Sequence, residues 1–266
     1  MSLSVPRRLI ALAAAALIVA QIVALVVSDR SREARAATPG VAQFQRVWAR
    51  TDEPIATGKV ARTWMWGPVA ITDLRYEPYA ESPGGQRLVQ YFDKSRMEIS
   101  QPGAPDDGLW YVTNGLLVVE LVTGLRQVGD AAFEPHVPAA VNVAGDPDDP
   151  GAPTYASFGY VLDAPPTAAG SFLTRRLARD GSVSDDPALA RWSALAGATD
   201  DVTRHAVAAP FWAFMTAEGL VTQGGELVNA PLFVNPYYAT GRPISEAYWA
   251  TVRVGGTPLD VLVQCF

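Results

Sequence analysis

Proline and glycine set the first limit on this chain. The sequence of 266 residues holds 21 prolines and 22 glycines. Beyond Gly40 they cut it into short pieces, so long helices are few there and short strands joined by tight turns are favoured. The pieces can still bury a core, because 49% of the residues are hydrophobic and Trp and Tyr are spread along the length. The expected class is therefore α+β, mainly β.

One segment escapes this punctuation. After the positive start MSLSVPRR, residues Leu9 to Val27 form an apolar run interrupted only by Gln21 and ended by Ser28-Asp29-Arg30. A helix of that length spans roughly 28 Å, enough for a bilayer core. The run is longer than the usual apolar region of a cleaved signal, although Ala34-Arg35-Ala36 offers a small-residue cleavage pattern further on. Residues 1–28 are read as a signal peptide or signal anchor, with membrane contact through residues 9–27. Residues 29–40 form a charged, Ala-rich linker, and residues 41–266 form an exported domain on the outer side of the cytoplasmic membrane or secreted. Nucleic acid is a poor partner. The net charge is -6, the sequence pI is about 5.0, and Lys59 and Lys94 are the only lysines.

Within the exported part, Val41, Phe44 and Trp48 recur at helical spacing and predict a short amphipathic helix. KVARTWMW, QRLVQYF, SRMEI, LWYVTN and the β-branched LLVVELVTG read as strands. SFLTRRLARDGSVSDD reads as a hairpin turning at Asp180-Gly181. Three short helices are expected later. One begins at Asp185-Asp186-Pro187 and runs through Trp192, the second is APFWAFMTAEG, and the third is PISEAYWATV, with Pro243 in its first turn and Ser245 near its cap.

A phrase recurs: QRLVQYF ends at Phe92 and DVLVQCF ends at Phe266. Gly67 precedes Gln90 by 23 residues, as Gly241 precedes Gln264. Both stretches carry a proline, an aromatic cluster and a Gly-Gly pair, and FQRVW at 44–48 has a partner in FWAFM at 211–215. The expected organisation is one repeat unit at 44–99, a β-rich middle segment at 100–210, and a second helix-turn-strand unit at 211–266. In the first unit the phrase continues with DKSRMEI; in the second nothing follows it. The second unit is therefore expected to be incomplete, and the chain to be a truncated form of a longer protein. The competing expectation is that Phe266 closes a sheet as a natural end.

WMWGP, EPYAESPGGQRLVQYFDKSRMEI, WYVTNGLLVVELVTG, VNVAGDPDDPGAPTYASFG and YYATGRPISEAYWATVRVGGTPLDVLVQCF together resemble a family of uncharacterised exported bacterial proteins. The likeness covers nearly all of Phe44 to Phe266. In that family the last phrase continues through "ER" and an "L-x-Y-x-P" segment. The shorter GxP(I/V)…GG…LVQ(Y/C)F module is similar to modules that accompany cell-wall and extracellular enzymes. More distantly it resembles the LGFP cell-wall repeats. The resemblance implies a place at the envelope and carries no catalytic residue to transfer.

The chemistry-bearing residues are few. No HExxH, GxSxG or GxxxxGK[ST] pattern occurs, and no cofactor is called for. His136 and His205 are the only histidines. Cys265 alternates with Val261 and Val263 and reads as a small buried side chain, so neither a disulfide nor a CxxC metal site can form within the chain. Glu77, Glu81, Glu98 and Glu120 could supply a glycosidase pair if the fold sets their separation. Asp146, Asp148 and Asp149 in GDPDDPG offer hard oxygens, the weak candidates for calcium. The aromatic residues Trp64, Trp66, Tyr237, Tyr238 and Trp249 suit sugar stacking if exposed and core filling if buried. Trp64 and Trp66 share a face if their segment is a strand. The expected function is an exported, envelope-associated binding protein with cell-wall polymer or carbohydrate as partner. A secreted hydrolase and a truncated fragment without function of its own are the alternatives. A hydrolase predicts a deep pocket where a histidine meets a carboxylate; a binding module predicts an aromatic surface without convergent titratable groups.

Overall fold

The computed structural model describes residues 40–266, apart from 94, 106 and 107. The apolar run at 9–27 lies outside the described residues, and no helix among those described is long and apolar enough to cross a membrane. The described chain is α+β with more strand than helix, arranged as several small sheets.

Helix α1 (Ala42–Thr51) is the amphipathic helix foreseen at that place, and it buries Phe44 and Thr51. A short turn α2 (Glu53–Ala56) follows. Strands β1 (Arg75–Pro78), β2 (Gln86–Tyr91) and β3 (Arg96–Ile99) form an antiparallel sheet in the order β1-β2-β3. The β1–β2 turn rests on Gly84 and Gly85 at φ 70° and 72°, a conformation that side chains disfavour. Helix α3 (Leu117–Thr123) leads to the hairpin β4 (Leu125–Gln127) and β5 (Phe133–Pro135), and a capped turn α4 (Tyr155–Phe158) packs on α3. Next come the hairpin β6 (Arg175–Leu177) and β7 (Val183–Asp185), then β8 (Ala196–Thr199) and β9 (Ala206–Ala208). Helix α5 (Ala209–Met215) precedes the hairpin β10 (Glu218–Gln223) and β11 (Glu226–Pro231). The last pair, β12 (Tyr248–Val254) and β13 (Thr257–Val263), joins β6 and β7 in a sheet ordered β13-β12-β6-β7, with β12 parallel to β6.

Several elements differ from the sequence expectation. LLVVELVTG is helical rather than a strand. Its Val122 is buried, and Gly124 in the left-handed region (φ 73°) ends the helix by returning its N–H to Glu120 O. PISEAYWATV is a strand rather than a helix, because Tyr248 to Val254 pair along their whole length with β13. Ser245 caps no helix; its Oγ accepts from Cys265 N at 3.1 Å. KVARTWMW holds no strand, and LWYVTN contains a single 3-10 turn over Leu109–Tyr111. The helix expected from Asp185 is a 3-10 turn over Pro187–Trp192, with Asp186 accepting from Ala188 N. The helix beginning at APFWAFM stops at Met215, and Gly219 lies inside β10.

The largest core joins distant parts of the chain. Phe44, Trp66, Leu88 and Met97 pack with Val221, Leu232 and Phe233, so the β10–β11 hairpin closes the core begun by α1 and the first sheet.

The recurring phrase occupies matching surroundings. Gln90 Oε1 accepts from Gly40 N at 2.9 Å, just ahead of α1, while its Nε2 donates to Thr72 O at 3.0 Å. Gln264 Oε1 accepts from Ala208 N at 3.0 Å, just ahead of α5, and its Nε2 donates to Ser245 O at 2.9 Å and Ala206 O at 2.8 Å. Ile71 N donates to Tyr91 O, and Ile244 N to Cys265 O, each at 2.9 Å. Tyr91 N finds Thr72 Oγ1, as Cys265 N finds Ser245 Oγ, each at 3.1 Å. Each glutamine thus ties a helix start to the segment that leads into its hairpin. Gln264→Ala leaves the Ala208 N–H without its acceptor and two carbonyls without their donor. It is expected to destabilise by about 2 kcal/mol in urea unfolding. A loss under about 0.5 kcal/mol would mean that water replaces the side chain.

Candidate functional site

The surroundings of Tyr237 and Tyr238 make the most chemically distinctive cavity, of about 280 Å³. Its wall includes Tyr79, Glu98, Trp110, Asn114, Tyr237 and Tyr238. These come from the end of β1, the middle of β3, the 3-10 turn, the loop before α3, and the segment after β11. Trp110 is 55% exposed and its ring meets Tyr238 at 5.5 Å; Tyr238 in turn meets the buried Trp66 edge-on at 6.4 Å. Tyr237 continues the row on the other side, 5.8 Å from Trp212 and with the Arg242 guanidinium 5.0 Å over its ring.

Polar groups hold these rings. Tyr238 OH donates to Val112 O at 2.8 Å and Tyr79 OH donates to Asp130 Oδ1 at 2.7 Å. Burial pushes the Tyr238 hydroxyl up to about 12. Burial and then the Asp130 carboxylate push Tyr79 up to about 12 as well, so both phenols are neutral donors. Burial works against ionisation of Asp200. Even so, the N–H groups of Thr203 and Val202, the Tyr237 hydroxyl and Arg242 hold its carboxyl down to about 2. Asn114 donates to Tyr238 O at 3.0 Å and to Ala239 O, which fixes its amide. Its Oδ1 is buried without a hydrogen-bond partner among the described residues.

Behind the cavity lies a buried ion cluster. Arg96 grips Glu120 in bidentate fashion at 2.7 Å and 3.0 Å, and its Nε meets Glu98 Oε1. Arg87 reaches Glu98 Oε2 and Gln127 O, both at 3.1 Å, and Tyr91 OH donates to Glu77 Oε1 at 2.8 Å. Burial pushes the Glu98 carboxyl up, with both guanidiniums opposing it. Burial also works against ionised Glu120, but its Arg96 bonds hold it below the ordinary value. Position 115 must be glycine here: a Cβ on Gly115 (φ +59°) would lie 2.1 Å from Glu98 Oε1. The fold therefore brings Glu77, Glu98 and Glu120 together, as a glycosidase pair requires, but each oxygen of Glu98 already faces a guanidinium. Glu81 is elsewhere, accepting from Asp130 N.

The other sequence candidates scatter. Trp66 is 2% exposed, with its indole N–H on Thr51 Oγ1, and Trp249 is buried with its indole N–H on Leu173 O at 2.6 Å. Trp64 is half-buried and lines a different cavity, of about 430 Å³, so it shares no strand face with Trp66. The calcium candidates hold the backbone instead. Asp146 accepts from Gly255 N and Gly256 N at 2.8 Å and 2.7 Å, fixing the β12–β13 turn. Asp149 accepts from Gly151 N and Arg253 N, while Asp148 is exposed. No group of three His, Cys, Asp or Glu that could hold a metal occurs among the described residues. His205 is buried against Glu246, its Nδ1 3.2 Å from Oε1. The Glu246 carboxylate also accepts from Ala206 N and Thr167 N. His136 is exposed, its Nε2 3.6 Å from Glu134. Burial pushes the Cys265 thiol up to about 12, which removes it as a nucleophile.

Sequence reasoning missed Tyr79, Trp110, Asn114 and Trp212. LWYVTN reads as a strand and APFWAFMTAEG as a short helix, and neither reading tells whether Trp110 or Trp212 is exposed. Tyr79 and Asn114 carry no local signal, because their meeting depends on how β1 and the loop before α3 are placed. Comparison with protein-family models, with curated proteins and with solved structures gives no match to this chain.

Proposed function

We propose that this chain is an exported, envelope-associated binding protein, and that the Trp110–Tyr238 cavity takes a sugar unit of a cell-wall polymer. The observation that carries this reading is the set of partly exposed rings at the cavity, Trp110, Tyr238 and Tyr237, with Trp212 against Tyr237 outside it. Ring faces stack on the C–H faces of sugars, while neutral phenols meet hydroxyl groups. The chemistry around the cavity favours binding over hydrolysis: neither histidine lines it, and Glu98, its one carboxyl among the described residues, faces two guanidiniums.

Trp110 is the residue to change, because its exposure makes the fold insensitive to it. Trp110→Ala is expected to weaken binding of soluble cell-wall glycan fragments about tenfold in calorimetric titration, since truncating a stacked aromatic removes on the order of 1.4 kcal/mol. The thermal midpoint should not move. Absence of glycan binding by the unaltered protein would sink the reading. Release of new reducing ends during the titration would replace it with hydrolysis.

A further inference from the structure

A second cavity, of about 170 Å³, shares Tyr238 with the aromatic cavity but carries different chemistry, and its assignment does not depend on glycan binding. Val47 and Arg50, one turn apart on α1, line it together with Trp66, Leu232 and Phe233. The last three belong to the largest core and are almost fully buried. Walls of this kind favour an apolar guest over water, and about 150 Å³ is room enough for benzene. Arg50 is the exception among them. It is half-buried, and one of its Nη groups donates to Pro231 O at 2.7 Å, which anchors the guanidinium at the end of β11. Its Nε is buried without a hydrogen-bond partner among the described residues. No Asp or Glu among those residues lines the cavity, and none offsets the burial that works against the Arg50 charge. A cation beside carbon walls, with a buried N–H unanswered, is the complement of a small anion that carries an apolar group.

We propose that this cavity binds a small monocarboxylate whose apolar part is the size of a phenyl ring, with the ring against Val47, Trp66, Leu232 and Phe233 and the carboxylate against Arg50. The volume sets the size of the guest, because a long acyl chain exceeds it. The walls set its polarity, because a sugar would bury hydroxyl groups against carbon. The guanidinium sets its charge, and a planar carboxylate matches the N–H fork of an arginine. The two cavities therefore divide the work around Tyr238: hydroxyl-rich guests on the Trp110 side, an apolar anion on the Arg50 side.

The test follows 4-fluorophenylacetate by fluorine NMR as the full chain is added. Saturable binding is expected, with a Kd below about 1 mM. The uncharged 4-fluorophenylacetamide, which has the same shape, should bind about tenfold more weakly. Arg50→Met should bring the acid down to the affinity of the amide. Val47→Phe, which fills the cavity, should weaken the acid and the amide alike, provided its thermal midpoint is unchanged. The comparison of acid with amide needs no variant, so it decides even where Val47→Phe fails to fold. Equal binding of acid and amide overturns the proposal, as does the absence of saturable binding at about 1 mM acid. Acid binding that survives Val47→Phe in a folded protein overturns it as well, by placing the guest elsewhere.

Discussion

Arg96→Leu is expected to destabilise the protein by about 4 kcal/mol, read as a lowered midpoint in urea unfolding at constant slope. Arg96 is 1% exposed and supplies three contacts to the carboxylates of Glu98 and Glu120. Leucine would fill part of the volume but leave two buried carboxylates sharing the single guanidinium of Arg87, which touches Glu98 at 3.1 Å and Glu120 at 3.7 Å. The penalty comes from the charges left behind more than from the attraction lost. Arg126→Leu is the matched control, because Arg126 and Glu134 are a surface pair with side-chain exposures of 35% and 47%. Surface pairs add little in water, so that variant should unfold with the parent midpoint. Equal effects from both substitutions would mean that water reaches the cluster.

Asp52→Ala should be nearly as severe, again about 4 kcal/mol, for a different reason. Asp52 is fully buried, and its carboxylate accepts from Met65 N at 3.0 Å, Trp66 N at 2.8 Å and Gly67 N at 3.1 Å. These three N–H groups lie in a segment without helix or strand, so no ladder partner can take over. The same carboxylate places Trp66 in the core. Loss of Asp52 should therefore also blue- or red-shift tryptophan emission of the folded protein, even under conditions where it stays compact. Asp52→Asn keeps one acceptor oxygen but turns an amide N–H₂ toward backbone donors, so it should fall between alanine and the parent. A variant with parent stability would show that the loop is held by its side-chain packing alone.

Local signals account for what could be read in advance. β2 and β3 follow Gly-Gly and lie close in the chain, and the β6–β7 hairpin turns at Asp180-Gly181, with Gly181 at φ 83°. The β10–β11 hairpin carries the same kind of signal, Gly224-Gly225 at φ 61° and 84°. The errors lie where a distant partner decides. Tyr248–Val254 is a strand because of β13, although Pro243 and Ser245 imitate a helix start. Val118, Val119 and Val122 favour a strand intrinsically, yet α3 forms because it packs on α4 and ends cleanly at Gly124. At the candidate site, residue type was enough to pick out Tyr237 and Tyr238. Trp66 and Trp249 were equally aromatic but face inward, a distinction that only packing makes.

The β10–β11 hairpin also bears on how the chain is made. Phe44 and Trp66 wait for Val221, Leu232 and Phe233, which are separated from them by more than half of the chain. Synthesis proceeds from the N-terminus, and a first unit that has just emerged has no lid for its largest apolar cluster. Closure of that cluster is a contact of high sequence separation, which slows folding and prolongs the exposure. A break anywhere between residues 113 and 210 would leave two pieces that each lack part of this core, the N-terminal piece keeping nine of its twelve buried residues.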